Sequence, residues 1–211
     1  MKLVSRWPGS KSVSELASSG PRVPVAPRPR AAQEHGVALA DRCRAIELLV
    51  LDVDGVLTDG RIVYADNDVE LKAFHVRDGS GLKVWEAAGK RSALITGRQS
   101  RVVAMRAAEV GISHVFQGAA DKLAVFQQLL QAVGLTPEQA CYVGDDLPDL
   151  PLLRRCGLAV AVADACPEVR HDAHHVTQRP GGHGAVREVI ELILRCQGHW
   201  QRVMDHYRND A

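Results

Sequence analysis

The chain has 211 residues, enough for one sizeable core with a tail. Its 26 Lys and Arg against 25 Asp and Glu leave a net charge of +1, so no global field argues for nucleic acid or an anionic membrane surface, and neither is expected as a partner. No apolar run approaches a membrane span, and five cysteines without a Cys-x-x-Cys argue against a disulfide framework or zinc site and suit a reducing cytoplasm.

Residues 1–40 stand apart. Up to Arg30 they hold half of all the prolines, six serines, six Lys or Arg and a single acid, Glu15. Proline at this density supports neither helix nor ladder. The segment reads as a disordered extension or a start placed too far upstream; its basic, Ser-rich, acid-poor composition is also that of an organellar transit peptide. Residues 41–197 read as one α/β domain and 198–211 as a polar tail. Val37–Arg44 suggests a short helix leading into the first strand.

That strand is the apolar run Ile46–Leu51, which ends in Asp52-Val53-Asp54-Gly55. A short β-branched run meeting Asp-Gly predicts a buried strand ending in a loop. Period-two runs at 62–64 and 69–73 flank Asp66-Asn67-Asp68, predicting a β-hairpin that extends the sheet or forms a flap beside the strand end. A helix follows, with Asp78 or Ser80 as N-cap, Leu82, Trp85 and Ala88 on one face, and Gly89 as the stop. Next come a strand at Ser92–Ile95 ending in Thr96-Gly97-Arg98, a helix at Arg101–Val110 and a short strand at His114–Phe116. Asp121-Lys122 opens another helix, ended by Gly134. Ala140–Val143 is a strand ending in Gly144-Asp145-Asp146, with Asp149 three residues on. Leu158–Val162 and His175–Thr177 complete the strands. Gly181-Gly182-His183-Gly184 reads as a flexible link or mobile closing segment, and Val186 to Leu194 as the final helix.

Alternating strands and helices predict a Rossmann-like open parallel sheet with helices on both faces and no inserted cap domain. Ligands of such sheets sit beyond the carboxyl ends of the strands. Four strand ends carry polar groups there: Asp52 with Asp54, Thr96, Lys122, and Asp145 with Asp146. Two acid pairs, a hydroxyl and an ammonium suit a phosphoryl group with a Mg²⁺ ion, and a carboxylate nucleophile can split hydrolysis into two easier steps.

LDVDGVLTDG, ITGR, the Asp121-Lys122 pair and GDDLPD resemble the four motifs of the haloacid dehalogenase superfamily, from about Ile46 to Arg195. The resemblance implies that Asp52 is the nucleophile and Asp54 the acid and then the base. It implies that Thr96 and Lys122 hold the transferring phosphoryl, and that Mg²⁺ rests on Asp52, the Asp54 backbone carbonyl and Asp145. Asp146 and Asp149 read as supporting or helix-capping groups. HVRDGSG, YVGDDLPDLP, VADACPEV and GGHGAVREV are further similar to a capless branch acting on the phosphate ester of an acidic eight-carbon sugar. That branch implies substrate contacts on Asp54, His75, Val76, Arg77, Asp78, Gly79, Lys83, Arg98, Arg106 and Lys122. It also implies a homotetramer in which hairpins meet, a neighbour covers the site and the C-terminal tail can close over it. Lys83 stands where arginine is common, a point charge in place of a planar fork. Arg77, Arg98 and Arg106 also fit ordinary surface cations, and His75 a strand end. His171, His174 and His175 look like a metal cluster but have no partner acids at suitable spacing for one, and read as surface or sheet-end residues. Two alternatives stay open: a nine-carbon sialic-type 9-phosphate as substrate, and a non-catalytic oligomerisation module of the same fold.

Overall fold

The computed structural model describes residues 38–66 and 69–209. Residues 1–37 of the expected 1–40 extension, the expected turn residues Asn67 and Asp68, and Asp210 and Ala211 lie outside the described residues.

In chain order the elements are α1 (Leu39–Arg44), β1 (Leu48–Leu51), β2 (Val63–Ala65), β3 (Val69–Leu71), α2 (Val76–Ala87), β4 (Arg91–Ile95), α3 (Arg101–Glu109) and β5 (His114–Phe116). They continue with α4 (Lys122–Val133), β6 (Ala140–Gly144), α5 (Leu150–Leu153), β7 (Leu158–Ala161), α6 (Pro167–Asp172), β8 (His175–Val176), α7 (Ala185–Cys196) and α8 (Trp200–Asn209). Six strands form one parallel sheet in the order β5-β4-β1-β6-β7-β8. Side chains of a strand alternate between faces, yet every residue of β1, β6 and β7 is buried, so the sheet is covered on both sides. Strand order runs outward from β1 through β4 to β5, then returns to β6 on the other side. This reversal opens a crevice beyond the carboxyl end of β1.

The hairpin β2–β3 is a separate antiparallel sheet in which Val63 faces Leu71 and Ala65 faces Val69. Ile62, Val63, Tyr64, Val69 and Leu71 are all exposed on it.

Three expectations need correction. The cap of α2 is His75, whose ring accepts from Arg77 N; Asp78 is instead buried and accepts from Gly184 N at 3.2 Å and Arg187 N at 2.8 Å, so it caps α7. Residues 200–209 of the expected tail form a helix. Trp200 is buried, with Arg187 and Arg195 each over its ring at 5.2 and 4.9 Å, and Val203 and Met204, on the same helix face, pack against the core. The 181–184 segment is packed rather than a free link. Gly181 N donates to Asp164 Oδ1, Gly182 N donates to the Val56 carbonyl, and a Cβ on Gly181 would stand 1.7 Å from the Gly55 carbonyl oxygen.

Candidate active site

The loop after β1 is shaped by its own backbone. Val53 O accepts from the amides of Val56, Leu57 and Thr58, and the Thr58 hydroxyl accepts from Gly55 N and Gly60 N. Gly55 has φ +95, and a Cβ there would fall 2.1 Å from Asp145 Oδ2, so glycine both makes the turn and lets the two acidic loops meet.

Asp52 is buried at the end of β1, where Lys122 Nζ donates to its Oδ1 at 2.8 Å. Asp121 caps α4 by accepting from Ala124 N, which places Lys122 at the first turn facing the cleft. The same ammonium donates to Asp149 Oδ1 at 2.8 Å. Asp149, 1 % exposed, also accepts from Tyr142 Oη at 2.7 Å, and its Oδ2 accepts from Asp145 N at 3.0 Å and Asp146 N at 3.3 Å. Both Asp149 oxygens are therefore taken by donors. Asp145 differs: its Oδ1 is buried and has no hydrogen-bond partner among the described residues. One carboxylate oxygen from each of Asp52, Asp145 and Asp149 lies within 4.8 Å of the others.

Electrostatics follow from this crowding. Burial pushes Asp52 up to about 6, opposed by Lys122 and assisted by Asp149. Burial, then Asp52 and Asp149, push Asp145 up to about 8. Lys122 is raised: burial works against its charge, but Asp52 and Asp149 prevail. Excess negative charge with an unpartnered carboxylate oxygen fits a hard divalent cation.

The cleft around these groups has a volume of about 760 Å³ and includes Asp52, Asp54, Thr96, Arg98, Lys122 and Asp145. Thr96 is buried, and Arg98 N donates to its Oγ1 at 3.4 Å. His75, Val76, Arg77, Asp78, Gly79, Lys83 and Arg106 do not line it. Val76 and Arg77 are exposed at the start of α2, and Lys83 lines a groove between α2 and α8. Arg106 lies over Phe74, reaches the His75 carbonyl at 3.5 Å, and fills the space above Gly79, where a Cβ would sit 2.2 Å from its Nη2.

Asp149 and Tyr142 carry more of the site than their sequence positions suggest. A tyrosine inside an otherwise apolar strand was the available signal, since a buried hydroxyl requires a partner. Pro148 was the other, because it stands second in the short turn Leu147–Asp149 that swings Asp149 back to the strand end.

Comparison with known proteins agrees with this geometry. A model of the haloacid dehalogenase-like hydrolases matches residues 91–190. The 3-deoxy-D-manno-octulosonate 8-phosphate phosphatase KdsC of Escherichia coli K12 is 50 % identical over 153 residues, covering 72 % of this chain and 81 % of that protein. The crystal structure of the phosphatase of that name from Yersinia pestis is 45 % identical with a TM-score of 0.76, covering 77 % of this chain and 88 % of its own. The one from Moraxella catarrhalis, in complex with magnesium, phosphate and KDO, is 41 % identical with a TM-score of 0.78, covering 80 % of this chain and 97 % of its own.

Proposed function

This chain belongs to the 3-deoxy-D-manno-octulosonate 8-phosphate phosphatases of the haloacid dehalogenase-like hydrolases, and from that membership we propose that it hydrolyses 3-deoxy-D-manno-octulosonate 8-phosphate to the free sugar acid and phosphate. The observation that carries the reading is Asp52 held under Lys122 beside the unpartnered Asp145 oxygen at the carboxyl edge of the sheet. In this reading Asp52 attacks phosphorus as the ester P–O bond breaks, and Asp54 gives a proton to the departing sugar oxygen. Asp54 then takes a proton from the water that releases phosphate from the Asp52 acyl phosphate. Thr96 and Lys122 hold the phosphoryl oxygens throughout, and Asp149 with Tyr142 keeps Lys122 aimed. Asp52, Asp145 and the Asp54 carbonyl would hold Mg²⁺, which when bound neutralises charge on the phosphoryl oxygens. The unit proposed to carry the reaction is residues 41–197.

The test is phosphate release with Mg²⁺ from a panel of the octulosonate 8-phosphate, nine-carbon sialic-type 9-phosphates, hexose phosphates and nucleotides. A kcat/KM far above the rest for the octulosonate ester is the expected result; preference for a nine-carbon ester would move the substrate and keep the chemistry. This reading places the protein in lipopolysaccharide biosynthesis in the cytoplasm. None of the five cysteines forms a disulfide, and no helix among the described residues is long and apolar enough to cross a membrane.

Metal binding is expected to be coupled to protons. Asp52 and Asp145 titrate higher folded (about 6 and about 8) than at the ordinary value of 3.8, so the cation-free fold binds more protons than the unfolded chain between those values. Stability of that form then falls as pH rises through this window. A cation holds both groups ionised and cancels the loss. The melting-temperature gain on adding Mg²⁺ should therefore grow from about pH 5 to about pH 8; a gain independent of pH would count against Asp52 and Asp145 as ligands.

A homotetramer is the assembly proposed. A lone two-stranded hairpin is marginal in water, and this one exposes apolar side chains. Contact between hairpins of neighbouring copies would cover them, and the exposed Val76, Arg77 and Lys83 would then serve a neighbour's cleft. Val63 and Leu71 face each other on one side of the ladder. Sedimentation should show a tetramer for the native chain and smaller species for Val63→Glu with Leu71→Glu, with a parallel fall in turnover; a native monomer at full activity would sink this assembly.

A further inference from the structure

The hairpin also carries a set of charged contacts that none of the roles above uses. Lys72 follows β3 directly, and its side chain is 1 % exposed. Its ammonium donates to Asp54 Oδ1 and lies 3.5 Å from Glu70 Oε1. Arg98, at the end of β4, donates from Nη2 to Glu70 Oε1 at 3.2 Å and to Tyr64 Oη at 3.1 Å, and its Nε stands 3.7 Å from Asp54 Oδ2. The hairpin forms no ladder with the large sheet, so these polar contacts join it to the catalytic loop. A lysine this deeply buried is retained only where its charge is matched, and Asp54 and Glu70 match it.

We propose that Lys72 is a positioning residue for Asp54. It occupies Oδ1, while among the described residues Oδ2 has only Arg98 Nε near it, at 3.7 Å and without a hydrogen bond, so Oδ2 is the oxygen assigned to proton exchange. Proton exchange with the substrate then runs through one defined atom, and the placement of that atom depends on the hairpin being docked. The inference rests on the reading of Asp54 as the group that protonates the leaving oxygen. Without Lys72 the carboxyl is free to rotate, and misplacement by a fraction of a bond length weakens a step that needs alignment.

The experiment compares two esters on the Mg²⁺-loaded enzyme: the octulosonate 8-phosphate, whose alkoxide must be protonated as it leaves, and 4-nitrophenyl phosphate, whose phenolate leaves without a proton. Since kcat/KM reports the steps up to loss of the alcohol, it isolates proton donation from the later hydrolysis. Lys72→Met should lower kcat/KM about 50-fold on the sugar ester and less than about threefold on the aryl ester. Lys72→Arg should restore most of the sugar-ester rate. If Lys72→Met does not fold, Lys72→Gln should show a smaller loss with the same selectivity. Equal losses on both esters, or no loss on either, would overturn the proposal. Asp54→Asn run alongside separates the two readings. If it is selective for the sugar ester while Lys72→Met is not, Asp54 keeps its role and Lys72 loses the one assigned to it; if Asp54→Asn shows no selectivity, Asp54 is not the proton donor and the inference falls with it.

Discussion

Asp52→Asn is expected to reduce phosphate release by at least about 10⁴-fold while raising the melting temperature of the Mg²⁺-free protein. The amide is nearly isosteric, so Lys122 keeps a partner oxygen and the loop keeps its shape. What disappears is the nucleophile: an amide oxygen cannot form the acyl phosphate that splits the reaction. The stability gain has a separate cause. Burial and Asp149 lift Asp52 to about 6, which means that its ionised form is disfavoured in the fold at neutral pH. A neutral side chain removes that repulsion. Turnover in the presence of Mg²⁺ and thermal melts in chelator test the two parts independently. Near-native turnover would remove Asp52 as nucleophile, and a lowered melting temperature would mean that the ionised form is a net stabiliser here.

Lys122→Met should be damaging on both counts. The ammonium bridges Asp52 and Asp149 and is the nearest cation to the acid cluster, so its loss leaves buried carboxylates facing one another. Removing one partner from a buried ion pair costs about 3–5 kcal/mol. Asp149 retains Tyr142 and two backbone amides, so part of the network survives. Mg²⁺ supplies countercharge and should recover part of the stability, visible as a larger metal-induced melting shift than in the native chain. Activity should stay down about 10²–10³-fold even at saturating metal, because a donor aimed at the phosphoryl is missing. A variant with ordinary stability and ordinary turnover would show that the ammonium is a surface charge with no part in the site.

Much of this was legible from local pattern. The run from Ile46 to Leu51 meeting Asp-Gly marks the central strand, and each motif falls where periodicity ends. What could not be read depends on contacts between distant segments. Asp78 has the composition of an N-cap and is one, but for a helix 106 residues further on. Lys72 sits in an alternating run where lysine reads as solvent-facing, yet the hairpin folds its ammonium onto Asp54. Asp149 reads as a capping acid and does cap, while its second oxygen fixes the lysine that faces the nucleophile. Residues 200–209 carry a short apolar face of Trp200, Val203 and Met204, and spacing does not report that Trp200 lies against two arginines that belong to α7. In each case one residue serves a near and a far neighbour, and sequence spacing reports only the near one.

The close seat of Gly181 on Gly55, with Gly182 against Thr58 and Asp59, has a consequence for biosynthesis. Asp52, Thr96, Lys122 and Asp145 all leave the ribosome before the segment that braces the loop bearing the first of them. A nascent chain halted before residue 181 thus has every reactive group but lacks that brace, and the contacts from Asp78 to the start of the last core helix are also unmade. Competence arrives with the final stretch of translation. Products terminated before residue 181 are then expected to release no phosphate, even with all four groups in place.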